Sequence, residues 1–435
     1  MSSFVDDEKN LLTVCVLRTY TLNLPIAVEN TDWKAILLSS NLPSEAVELV
    51  EKLYNGRKAM IHELNHDGFG GTDIDVYLSS LTCLLESLNC QATVKVNTRL
   101  LFTWCGLFEK KNNSSISSAA VAATSVRHAY EPIGEIIYEI VMCLWSKVLM
   151  LYRQGISLLQ TIPQNSDNIT LAAKSFIGAT SVCDYLSEKT LPRWLNGGRL
   201  ANKILEASPL FATAIRHLCM ACSNQCVVAK SILNKSSSKA LMKLCSAVAH
   251  NATESLEYFG KIKDWERVDD SLLTHVSFLK KFFTALSFYH SGVVAEKGAL
   301  AIASYGAVVT SLTQQGKPTD AADVKYNPFN SGLPKLSFGP YAECYRPLSI
   351  LLGDVNEKHE TADMENNSIY HETVINELKL PEPVFIMKVT PFTIQSGGIV
   401  YFQELPNVMP PSTESEPVKI TDEEYARQLQ AQINN

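Results

Sequence analysis

The chain has 435 residues, 46% of them apolar and 19% charged, with 38 Lys and Arg against 45 Asp and Glu for a net charge of −7. That apolar content excludes disorder for the bulk of the chain, and 20 Gly with 18 Pro exclude a collagen-like or low-complexity protein. The acidic balance disfavours nucleic-acid binding through charge. The 11 cysteines are an odd number scattered through apolar segments, which fits buried thiols in a reducing cytosol better than a disulfide framework. The opening Met1-Ser-Ser-Phe-Val-Asp-Asp-Glu lacks the basic start of a signal peptide, and the most apolar stretch, Ile136 to Tyr152, is interrupted by Glu139 and Lys147. A soluble, cytoplasmic protein is expected.

The chain begins with strand character at Leu11–Leu17 and again at Asn23–Val28. From Ser44, a candidate N-cap followed by Glu45, the period turns helical through Ala46, Leu49, Val50 and Leu53. Gly68-Phe-Gly-Gly is a turn, after which Tyr77, Leu81, Leu84, Leu85 and Leu88 keep helical spacing. Asn112–Ser125 is Ser/Ala-rich and reads as a loop. Five long amphipathic runs follow. Their stripes are Ile136/Ile140/Leu144/Val148, Ala172/Phe176/Ala179/Cys183/Leu186, Ile215/Leu218/Cys219/Cys222/Cys226/Ala229, Leu241/Leu244/Cys245/Val248/Ala252 and Leu272/Val276/Leu279/Phe283/Leu286. Helices joined by short links fit a bundle or solenoid, so one core can extend past the usual domain size of roughly 150 residues. Gln314–Pro340 reads as a loop. From residue 401 the chain carries six acids and two bases, or −4 of the total −7, among Pro406, Pro410, Pro411 and Pro417. This predicts a mobile extension closing in a short helix with Tyr425, Leu429 and Ile433 on one side.

Two motifs suggest metal chemistry. His62-Glu63-Leu64-Asn65-His66 places two histidines at i and i+4, as a zinc hydrolase does with its Glu as general base. The glycine-containing turn follows at once, and Phe69 stands where the longer zinc motif has Gly, so two histidines at a scaffold-helix end are the favoured reading. Cys219, Cys222 and Cys226 share the apolar stripe of one helix with Ile215 and Leu218, which favours core thiols over metal ligands. No nucleophile elbow, phosphate loop or paired-carboxylate site stands out. The residues argue for a binding protein, with neither catalytic residues nor cofactor.

Several segments, taken together, resemble the Bro domain (Bro-one) family of the Alix/BROX type. They are Leu101-Phe-Thr-Trp104, Tyr138-Glu139 with Leu144-Trp145-Ser146, Ala172-Ala-Lys-Ser-Phe176-Ile-Gly-Ala179, Leu218–Lys230, Phe282–Gly292 ending in Tyr-His-Ser-Gly, and Asn367-Ser-Ile-Tyr-His-Glu372 followed by Leu380-Pro-Glu-Pro. They occur in the family's order between residues 10 and about 395.

The resemblance implies a mainly α fold: an extended, curved helical domain with a tetratricopeptide-like core and a small N-terminal β-sheet over residues 1–395, followed by an acidic, Pro-containing tail at 396–435. It is a short form without the V-shaped domain, and Gln432-Ile-Asn-Asn offers no prenylation cysteine, so no lipid anchor is expected. The resemblance further implies a non-enzymatic adaptor in endosomal sorting and membrane remodelling. It would bind the C-terminal amphipathic helix of an ESCRT-III subunit of the Snf or charged multivesicular body protein type and be recruited to endosomes. By position the binding patch involves Val227, Ala240 or Leu241, and Leu244. Leu241 and Leu244 share one helix face, so outward patch and ordinary core both remain open. Tyr370 falls where Alix-type members carry a tyrosine that serves as a kinase docking site, and a packed structural tyrosine is the favoured alternative. A helical-repeat scaffold for another partner is the second functional reading.

Overall fold

The computed structural model describes residues 27–28, 33, 42–65, 71–91, 100–106, 108, 132–160, 167–197, 204–263, 265–313, 345–375, 378–395 and 397–402. The expected strand at 11–17, the stretch 112–125, the loop 314–340 and tail residues 403–435 lie outside these. Within them, β1 (Ala27–Val28) pairs antiparallel with β2 (Thr103–Trp104), Ala27 opposite Trp104. The pairing continues as a two-bond bridge between Phe102 and Ile133. β1 lies in the second run read as extended.

The helical part follows the apolar periodicity. Helix α1 (Ser44–Asn65) buries Ala46, Leu49, Val50 and Leu53. Ser44 lies just inside it, and the Pro43 carbonyl takes the first amides, from Ala46 and Val47. Helix α2 (Thr72–Cys90) buries Tyr77, Leu81 and Leu84. Helix α3 (Ile136–Gln160) leads to α4 (Asn168–Tyr185), which passes through a π-helical turn, Leu186–Thr190, into the short α5 (Leu191–Gly197). Three long helices then start on side-chain caps that satisfy otherwise orphaned amides. Ser208 caps α6 (Pro209–Leu233), Ser237 caps α7 (Ser238–Gly260), and Asp269 caps α8 (Asp270–Ala295). Helices α9 (Gly298–Thr313) and α10 (Tyr345–Glu365) complete the series, α10 running into a second π turn, Asn366–Tyr370. Packing is sequential: α3 on α4, α4 on α6, α6 on α7, α7 on α8, α8 on α9 and α9 on α10. Such a stack buries one continuous core along its length.

A buried polar node joins the front of the molecule. The Glu139 carboxylate accepts from Arg57 Nε at 2.8 Å, Tyr77 OH at 3.0 Å and Trp104 Nε1 at 2.6 Å, so α1, α2, β2 and α3 meet on one side chain. Behind it Trp145 donates to the Glu206 carbonyl, and its ring packs with Phe108 and Phe211, which in turn meets Phe259. At the far end Gly292 lets α9 approach α8: a Cβ there would lie 2.6 Å from the Tyr305 ring. Tyr289 OH donates to Asp354 at 2.7 Å and accepts from Lys358 at 2.9 Å, tying α10 to α8.

Residues 371–375, 378–395 and 397–402 form an extended strap across the stack. His371 turns the chain with φ 57°, and the Asn366 side chain closes the turn, accepting from the Glu372 amide and donating to its carbonyl. The Glu372 carboxylate then accepts from the Ala299 amide at the start of α9, a favourable place for an anion. Further on, Ser246 of α7 donates to the Pro381 carbonyl, Phe392 packs on Tyr185 and under Lys147, and Cys83, Ser87 and Gln91 of α2 hydrogen bond with Gly398, Val400 and Phe402. Residues 397–402, read from the sequence as the start of the tail, thus lie along α2.

Candidate functional site

Helices α6 and α7 form a hairpin closed by residues 234–237. Val227 lies six residues before the end of α6, and Leu244 six residues after the start of α7, so the four residues singled out from the sequence share one end of the hairpin. Val227 and Ala240 are partly exposed at the surface. Leu241 and Leu244 are 7% and 6% exposed and belong to the core.

The turn closing this hairpin is a Schellman motif. Lys235 N–H bonds to the Ile232 carbonyl and Ser236 N–H to the Ser231 carbonyl, both at 2.9 Å. The residue that must turn left-handed is Lys235, φ 52°, where glycine is the usual choice. Lys230, Lys235 and Lys239 are exposed around the turn and Lys243 is partly so, with Lys230 donating to Thr170 Oγ1 of α4 at 2.8 Å. From Ala207 to Thr253 the chain has no carboxylate at all, against five cations. Glu206 and Glu254 flank this run in sequence. A shallow apolar strip therefore sits in a rim of positive charge.

The other residues read from the sequence go elsewhere. His62 is exposed near the end of α1, and His66 lies outside the described residues. Glu63 uses its carboxylate to accept from the Gly71 amide at 2.7 Å, holding the left-handed glycine that starts α2. That structural task accounts for the Glu of the HExxH pattern. Cys219, Cys222 and Cys226 are buried in the core, and burial pushes the Cys226 thiol well up, which disfavours the thiolate a metal requires. The hydrogen bond with Cys183 leads a similar upward shift at Cys219, with burial adding to it. Among the described residues no group of three His, Cys, Asp or Glu is placed to hold a metal. Tyr370, in the second π turn, is 39% exposed beside the more exposed Ile369. A cleft of about 550 Å³ between α2 and the strap is lined by Asp75, Val76, Phe392 and Ile394 among others.

The chain matches the BRO1-like domain family over residues 35–410. The chain belongs to that family. No curated protein matches it by sequence. The structural likenesses are to ALIX in complex with a simian immunodeficiency virus late domain (TM-score 0.62, 15% identity, 88% of this chain and 50% of that one) and to an ALIX BRO1 domain in complex with CHMP4C (0.57, 15%, 88% and 99%). A third is to a structure described as the basis for endosomal targeting by the Bro1 domain (0.59, 16%, 86% and 92%). At these identities the likeness shows the fold, and the chain spans half of the longer ALIX chain. The segments that carry the resemblance are framework: Trp104 and Glu139 build the buried node, Trp145 the aromatic cluster, Gly292 the α8–α9 approach and Glu372 the anchor of the strap. The basic rim was missed in the sequence reading, although the run without carboxylates is visible there.

Proposed function

We propose that this BRO1 domain is a non-enzymatic, cytoplasmic adaptor that takes the C-terminal amphipathic helix of an ESCRT-III subunit on the α6–α7 hairpin and is recruited by it to endosomes. The observation that carries the reading is the apolar strip at Val227 and Ala240, beside the core residues Leu241 and Leu244, framed by Lys230, Lys235, Lys239 and Lys243. An amphipathic helix flanked by acids meets both features: its apolar anchors cover the strip and its carboxylates meet the lysines, the helix-in-groove mode. An ALIX BRO1 domain of the same fold is known in complex with CHMP4C, an ESCRT-III subunit, which supports this choice of partner. Val227 and Ala240 are small, and each methylene missing from an anchor removes about 0.8 kcal/mol, so a modest affinity is expected. Tyr370, 39% exposed in the second π turn, is accessible to a kinase.

The test is binding of synthetic ESCRT-III C-terminal helices to the whole chain by fluorescence anisotropy. Ala240→Asp and Val227→Asp place a carboxylate on the strip without entering the core, and each is expected to weaken binding about tenfold or more, since 1.4 kcal/mol is tenfold. Lys239→Glu is expected to weaken it and to flatten its salt dependence. Undiminished binding by all three variants removes the site. Leu244→Asp is unsuitable, because it would place the charge in the core.

A further inference from the structure

The rim on the hairpin has a second candidate ligand within the same chain. Residues 421–433 present Asp422, Glu423 and Glu424, followed by Tyr425, Leu429 and Ile433 at i, i+4 and i+8. Read from sequence as a helix, this would be an acidic first turn and one apolar stripe, the same chemistry the hairpin selects. We propose that this segment docks in cis on the α6–α7 hairpin, so that an incoming helix must displace it. The proposal rests on the reading of the hairpin as a helix-binding site and adds how that site is regulated.

Charge and reach both favour the tail. The segment from residue 401 carries four of the chain's seven net negative charges, and the hairpin run from Ala207 to Thr253 carries five cations and no acid. The strap ends with the Phe402 amide bonded to Gln91 Oε1 at the end of α2, which sets the start of the tether. From α2 to α7 there are four packing steps, through α3, α4 and α6, or about 40 Å at 8–10 Å per helix pair. Residues 403–420 span up to about 60 Å when extended, and the four prolines before Val418 favour extension. The tether therefore covers the distance, and a tethered ligand acts at an effective concentration on the order of 1 mM. A segment whose free affinity is about 0.1 mM would then hold the site about nine-tenths of the time and weaken a competing helix about tenfold.

The test is zero-length carbodiimide crosslinking of the unmodified full chain, read by peptide mass spectrometry. The expected products join Asp422, Glu423 or Glu424 to Lys230, Lys235, Lys239 or Lys243, with a yield independent of protein concentration. Products joining these acids only to lysines elsewhere, or no product from them, overturn the proposal. In a second arm a labelled peptide of residues 418–435 is titrated onto the wild-type chain and onto the full chain carrying Leu429→Asp and Ile433→Asp. Binding about tenfold tighter to the variant is expected, and equal affinities overturn cis docking. A peptide of the CHMP4C C-terminal helix, titrated onto the same two chains, separates the two readings. If it binds both equally, cis docking fails and the adaptor reading stands. If it binds neither while the tail crosslinks form on the hairpin, the ESCRT-III reading fails and tail docking stands.

Discussion

Replacing Glu139 by Ala strands a charge in the interior. Glu139 is fully buried and Arg57 is 3% exposed, so the guanidinium has no route to bulk water without opening α1 from α3. Removing one partner of a buried ion pair costs about 3–5 kcal/mol, and the donors on Tyr77 and Trp104, left without their acceptor, add about 1–3 kcal/mol each. Water entering the space vacated by the carboxylate offsets part of this, leaving an expected loss of about 5 kcal/mol, a large share of a typical 5–15 kcal/mol. With an unfolding entropy of about 2.1 cal/mol/K per residue, that lowers the melting temperature by about 5–8 °C. Guanidinium unfolding followed by tryptophan fluorescence and circular dichroism measures the loss, with Trp104 a reporter within the node. The control is the paired change Arg57→Met with Glu139→Leu, which removes both charges and is expected to recover most of the loss. A single-variant loss below about 1 kcal/mol, or a double variant as unstable as the two single variants summed, would refute the assignment of the node as a coupled ion pair.

Further predictions concern the core, the turn and the strap. His275 and His290 are buried in α8 with values lowered by burial to about 3 and about 4, Lys358 adding to the shift at His290. Because the folded values lie below the ordinary 6.5, the unfolded chain takes up protons first. Stability is therefore full above pH 6.5 and is lost as pH falls from there toward 4, by about 1.4 kcal/mol per histidine at pH 5.5. Denaturant midpoints at pH 7.5 and 5.5 check this, and a chain with both histidines changed to Gln should show a smaller difference. Gly292→Ala should destabilise by about 1–3 kcal/mol through overpacking on Tyr305, despite the gain in helix propensity; a neutral result in thermal denaturation would contradict it. Lys235→Gly relieves a left-handed lysine and should stabilise the fold by about 0.5–1 kcal/mol while weakening binding of an acidic helix. The two effects are read by calorimetry and anisotropy, and an unchanged affinity would take Lys235 out of the rim. Asn366→Ala removes both bonds to Glu372 and should raise hydrogen exchange across residues 373–402 without altering that of α3.

The sequence was most informative where one face is apolar at a helical period. The five stripes lie in α3, α4, α6, α7 and α8, and Phe176, Cys219, Val248 and Phe283 are all buried as their spacing implies. Helix α9 escaped the same reading because Gly298–Thr313 is apolar almost all round, which erases the periodic contrast. The strap escaped it for another reason. Its bonds run to α2, α7 and α9, and short-range pattern carries no trace of partners so remote. Nor could spacing separate patch from core at Leu241 and Leu244, because whether a helix face is covered depends on its neighbours. The HExxH shows the converse: a local pattern is complete, yet Glu63 is occupied by a turn only five residues beyond the motif.

The strap also bears on when the fold is completed. Its bonds to α2 and the residue after it join residues 309 to 315 positions apart, while the stack itself is built from neighbours in sequence. Local contacts form early and distant ones late, because loop closure must precede them. The helices can assemble as a linear array during synthesis, and the strap seals over them as a final step. Contacts made that late are absent from the transition state, so weakening them speeds unfolding and leaves the folding rate nearly unchanged. On this reasoning the strap acts as a brake on opening, setting the lifetime of the native state.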